Sequence, residues 1–99
     1  MIDGYLLNMR VFDKVNDDKH QALKPLEEAA GVFGAWQARR NMRFAPRDAC
    51  GAFRRDLIDG CMGTVQAVAN MLAAVGATQG EVDAAIKRMD ERNGDRGRL

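Results

Sequence analysis

Residues 56–76, DLIDGCMGTVQAVANMLAAVG, decide how the rest of the chain is read. In and just before this stretch, Phe53, Leu57, Ile58, Cys61, Val65, Val68, Ala69, Leu72 and Val75 recur at helical spacing, so that one long amphipathic helix is expected. Gly76 follows the last of them and suits the left-handed residue just past a helix end. Strict apolar–polar alternation is nearly absent over the 99 residues and β-branched residues are sparse, which predicts an all-α chain.

Working outward toward the N-terminus, Pro46 disfavours helix at Ala45, and Asp48 is placed to cap a helix that starts at residues 47–49. A preceding helix carries an apolar face of Leu23, Leu26, Ala30, Phe33 and Ala38, with Val32 and Trp36 beside it. It is expected to end near Phe44, with Pro25 in its first turn or at a kink. Asn16, Asp17 and Asp18 separate it from a first helix whose stripe is Ile2, Tyr5, Leu6, Met9 and Phe12. On the C-terminal side, Thr78 and Glu81 form a capping-box pattern ahead of a last helix with Val82, Ala85, Ile86 and Met89 on one face. The expectation is a small antiparallel bundle of about four helices in residues 1–93, the second and third paired, with a flexible tail at 94–99.

Charge narrows the functional classes. Lys and Arg number 15 against 14 Asp and Glu, a formal charge of +1, so no global field draws nucleic acid or anionic membrane and any basic site must be local. Aromatic residues make up 6% of the chain without a repeating platform, and nucleic acid is not an expected partner. No uninterrupted apolar run approaches the roughly 18–20 residues that span a bilayer, and Asp3 stands where a basic leader would begin. Cys50 and Cys61, without a second ligand pair, fit reduced thiols, and the expected location is cytoplasmic. His20, the single histidine, has no placed serine or cysteine partner, and neither a glycine-rich phosphate loop nor a C-x-x-C pair is present. A helical chain this short commonly completes its core by association, so a homo-oligomer is expected.

Three glycines stand out. Gly31, Gly60 and Gly63 lie inside predicted helices, where each costs about 1 kcal/mol relative to alanine. Either they let two helices approach closely or they mark a site whose side chains are missing.

The second reading comes from a resemblance. Residues 23–36, LKPLEEAAGVFGAW, together with residues 56–76, resemble the MazG-like all-α nucleoside triphosphate pyrophosphohydrolases, including their small phage-type members, and RNGDRGR at 92–98 resembles their C-terminal ends. The resemblance implies a homodimer or tetramer whose subunits share a nucleotide groove. It implies Mg²⁺ held by E-x-x-E on one helix and E-x-x-D on the next, and water attack between the first and second phosphates that releases a nucleoside monophosphate and pyrophosphate. Magnesium would supply charge neutralisation and an acidified water.

Here the two motifs read Glu28-Ala29-Ala30-Gly31 and Gly60-Cys61-Met62-Gly63, so that Glu28 alone keeps its carboxylate. A glycine has no side-chain oxygen, and a carbonyl inside a helix is already engaged. Glu27 adjoins the remaining ligand, and Asp56 with Asp59 repeats the spacing four residues early but out of register. The expected outcome is Mg²⁺ bound weakly or not at all and hydrolysis lost or strongly impaired. The alternative is a non-catalytic helical module for a nucleotide or another protein.

Contacts to the nucleotide are carried by the same resemblance to Lys87 and Asn93. Arg88, Arg92 and Arg96 form a stripe that grips phosphate or is simply a solvated face. Lys24 and His20 share a helix face with Glu28 and Gly31 at the groove's entrance. Trp36 belongs to a core or subunit interface, or stacks on a base, with Gln37, Arg39 and Arg40 on its wetter side.

Overall fold

The computed structural model describes residues 3–44 and 46–99, with the side chain of Asp48 also outside the description. The calls made for Ile2, for Ala45 and for the Asp48 side chain therefore lie outside the described residues. Among the described residues the chain is all-helical, with α1 over Lys19–Asn41, α2 over Arg47–Ala74 and α3 over Gln79–Asp95.

Local chemistry accounts for the helix ends. Asp18 accepts from the Gln21 amide at 2.8 Å and caps α1, which then runs through Pro25, well inside the helix and past its first turn. α1 stops at Asn41, three residues before the expected end. Pro46, not Asp48, holds the N-cap position of α2 and supplies no side-chain cap. At the other end of α2 the Gly76 amide donates to the Ala73 carbonyl and the Ala77 amide to the Leu72 carbonyl, both at 2.9 Å. This is a Schellman closure, and it needs the positive φ of 74° that Gly76 adopts. Thr78 and Glu81 exchange the two hydrogen bonds of the expected capping box, each at 3.1 Å. A second Schellman closure at Gly97, φ 70°, ends α3, which reaches Asp95 and so takes in the first two residues of the expected tail.

The first expected helix does not form. Residues 3–17 carry no helix, because a short segment with Gly4 and Asn8 has too little to gain from its own hydrogen bonds. Its backbone is satisfied across the fold instead. The Phe12 amide donates to Asn70 Oδ1 at 3.0 Å, and Gln66 Nε2 donates to the Arg10 carbonyl at 2.6 Å and to Asn70 Oδ1 at 3.1 Å. Asn70 is 3% exposed, and with Ala67 it is one of two buried residues among those described.

α1 and α2 form an antiparallel hairpin, as expected, and α3 packs on neither of them. The hairpin faces are not the ones the apolar spacing of α1 pointed to. Pro25, Val32, Ala35 and Ala38 are the half-buried apolar residues of α1, whereas Leu26 is 68% exposed and Phe33 is 61% exposed. α2 also carries an outward stripe, including Ile58, Met62 and Leu72. Within Ala49–Ala74 an 18-residue window of that helix has a mean hydropathy of 1.2, long and apolar enough by composition to cross a bilayer, as core helices also can be. The absence of an uninterrupted apolar run is compatible with that average, since Asp59, Gln66 and Asn70 interrupt the stretch while apolar residues on two faces of the helix raise its mean.

Candidate functional site

The hairpin brings Glu28 of α1 against Gly63 of α2. A Cβ built at Gly63 would stand 2.8 Å from Glu28 Oε2, so the carboxylate already fills the space in which a side chain at 63 would begin. One turn earlier, the Cβ position of Gly60 lies 3.6 Å from Val32 Cγ2 and 3.8 Å from Val32 Cα, an ordinary van der Waals approach that brings the helices close. The Gly60 carbonyl also accepts from the Thr64 hydroxyl at 3.0 Å, which occupies it further. Gly31 meets nothing within 4 Å and is exposed. Of the positions compared with the four-carboxylate pattern, Glu28 and Gly63 are joined across the hairpin, Gly60 serves helix packing, and Gly31 faces outward.

A groove of about 410 Å³ opens around this pair, with Lys14, His20, Lys24, Glu28, Gln66 and Asn70 among its walls. His20, Lys24 and Glu28 do share its α1 side, as their spacing predicted. The ion pair of Lys24 is with Glu27, at 3.2 Å, and not with Glu28. Glu27 lies outside the groove, as do Asp56 and Asp59. Lys87 and Asn93, carried over from the resemblance, and the arginine stripe of Arg88, Arg92 and the C-cap Arg96 are not brought to the groove of their own chain, because α3 does not pack on the hairpin. Asn93 instead helps close its own helix, its carbonyl accepting from the Arg98 amide at 2.8 Å.

Lys14, Gln21, Gln66 and Asn70 were missed as groove residues. A signal for two of them existed: Gln66 and Asn70 are amides four apart in a stretch otherwise apolar, and a polar pair so placed has a hydrogen-bonding task.

Magnesium does not fit these donors. Among the described residues no three His, Cys, Asp or Glu side chains converge, and the groove offers Glu28 opposite a glycine. A hard octahedral cation takes one or two carboxylates plus phosphate oxygens, and here the two groove carboxylates stand ten residues apart along α1, about 15 Å of helix, with Asp18 engaged by the Gln21 amide and Lys14 and Lys24 in the same walls. What the arrangement offers chemically is a set of amide, ammonium and imidazole groups between two carboxylates, Glu28 and the helix-capping Asp18. Such a wall binds an anion with hydroxyl or amine donors better than it binds a metal. Set against protein-family models, curated proteins and solved structures, the chain matches none.

Proposed function

We propose that this chain is a MazG-like helical module that binds a nucleoside triphosphate without hydrolysing it and works as a homodimer. The observation that carries the reading is the facing of Glu28 and Gly63 across the hairpin. The pairing matches the place of two ligand positions in the resembled pattern, and it leaves one carboxylate where a metal cage needs several. Lys14, Lys24 and His20 supply cationic or hydrogen-bonding groups for phosphate oxygens, and Gln66, its amide nitrogen engaged by Arg10 and Asn70, offers its carbonyl oxygen to the sugar or base.

Surface area supports the dimer. The chain exposes 8281 Å², whereas a compact 10.9 kDa monomer exposes about 5,600 Å². The difference, about 2,700 Å² per chain, is more than the roughly 1,000–2,500 Å² that each partner of an obligate dimer buries, so a second copy can account for much of it. A second copy covering Leu26 and Phe33 of α1 and Ile58 and Met62 of α2 would turn two hairpins into a four-helix core. α3, free of its own hairpin, is then available to lay Arg92 and Asn93 over the partner's groove.

Calorimetry with nucleoside triphosphates, with and without Mg²⁺, tests the binding claim. The expected result is micromolar to millimolar binding that does not require the metal. Pyrophosphate release should stay at background for this chain, and also after Gly31→Glu, because that position faces away from Glu28. Robust turnover by the unaltered chain would overturn the proposal, and absence of any nucleotide binding would favour a protein-interaction module.

A further inference from the structure

The turn between α1 and α2 concentrates charge that the near-neutral total conceals. Arg39, Arg40 and Arg43 at the end of α1 and Arg47 and Arg54 at the start of α2 line, with Trp36, a single cavity of about 410 Å³. Among the described residues none of these five guanidinium groups is in an ion pair; the pair that exists is Lys24 with Glu27. Two of them lie over aromatic rings. The Arg40 Cζ is 6.0 Å from the Trp36 ring centroid and the Arg43 Cζ is 4.9 Å from that of Phe44. Trp36 is 45% exposed and Phe44 is 87% exposed.

Helix electrostatics explain part of this arrangement. Arg39 and Arg40 complement the partial negative charge of the last turn of α1. Arg47 does the reverse, standing as the first residue of α2, where the partial positive charge and amides without a side-chain cap disfavour a cation. Five like charges around one cavity repel each other, and a polyanion is the ligand that relieves the repulsion.

We propose that this turn binds single-stranded nucleic acid, with the guanidinium groups on successive phosphates and bases stacked on Trp36 and Phe44. A strand is favoured over a free nucleotide because there are two aromatic platforms, each with its own arginine, and one nucleotide carries a single base. Stacking on a ring face accepts any base, so recognition is tolerant of sequence. The site is separate from the groove at Glu28, since the two cavities have no lining residue in common. The charge balance of the whole chain argued against such a partner, and the fold supplies the local basic surface that balance required.

Trp36 is the single tryptophan, so its fluorescence reports on this turn directly. Titration of the full chain with a short oligothymidylate is expected to quench it, and log affinity should fall against log salt with a slope of about −3.5, the response of a single strand to some five neutralised phosphates. By anisotropy of a labelled strand, Arg43→Gln with Arg47→Gln is expected to weaken binding about tenfold and to flatten the slope by about one and a half. Trp36→Phe should retain binding that Trp36→Ser weakens, and circular dichroism confirms that each variant is folded. No quenching, an affinity unmoved by these substitutions in folded protein, or equally tight binding of inorganic tripolyphosphate or thymidine monophosphate would overturn the proposal. Because Glu28 and Lys24 are untouched, nucleoside triphosphate binding in their groove succeeds or fails independently of this test.

Discussion

Asn70 does more for this fold than its neighbours in the apolar stretch of α2. Its side-chain oxygen receives the Phe12 amide and the Gln66 amide, holding the N-terminal segment against the hairpin. Asn70→Ala leaves the Phe12 amide without its acceptor, at a cost of about 1–3 kcal/mol. The expected result is a lower denaturant midpoint and faster tryptic cleavage after Arg10, read by mass spectrometry. At Gly63 the neighbour is the flexible end of Glu28, which can give way. Gly63→Ala should stabilise α2 by up to about 1 kcal/mol through helix propensity. Gly63→Asp sets a second carboxylate beside Glu28, so its thermal midpoint should fall below that of Gly63→Ala. Added Mg²⁺ should then raise the midpoint of the Asp variant and leave the others unmoved in scanning fluorimetry; no magnesium response in that variant would count against the ligand geometry.

Among the elements, α3 is the one whose stability is local. It is held by the Thr78 capping box at one end and the Gly97 closure at the other, with no packing on α1 or α2. Thr78→Ala removes about 1 kcal/mol of cap. Because nothing couples α3 to the hairpin within one chain, hydrogen exchange should accelerate over residues 79–95 while the protection of α1 and α2 is kept. The capping box was legible from two residue types three positions apart, since a helix end is a problem solved by its own neighbours, whereas the Gly97 closure fell in a stretch expected to be a flexible tail. The N-terminal segment was not legible in the same way. Its apolar residues fit a helical stripe, but its amides are spent on Gln66 and Asn70, more than fifty residues away.

For the molecule as a whole, the radius of gyration of 16.3 Å exceeds the roughly 13 Å of a compact chain of this length. Two buried residues among those described make a slender core for a stable monomer, which is the physical reason that a second copy is proposed. Light scattering behind size exclusion should report twice 10.9 kDa. Leu26→Glu together with Ile58→Glu should give a folded helical chain of monomer mass, because both positions are already outside the hairpin contact; a dimer that survives the pair would place the interface elsewhere. The all-helical character, the Gly76 and Thr78 boundaries, and the lack of side-chain oxygens at 31, 60 and 63 could be read from residue order, because each depends on residues within a turn or two. Which face of α1 turns inward, which motif positions meet, and that arginines from two helix ends share one cavity depended on how the hairpin closed. Facing is settled by contacts between segments distant in the chain, and apolar spacing cannot distinguish a stripe that meets its own partner helix from one that awaits another copy.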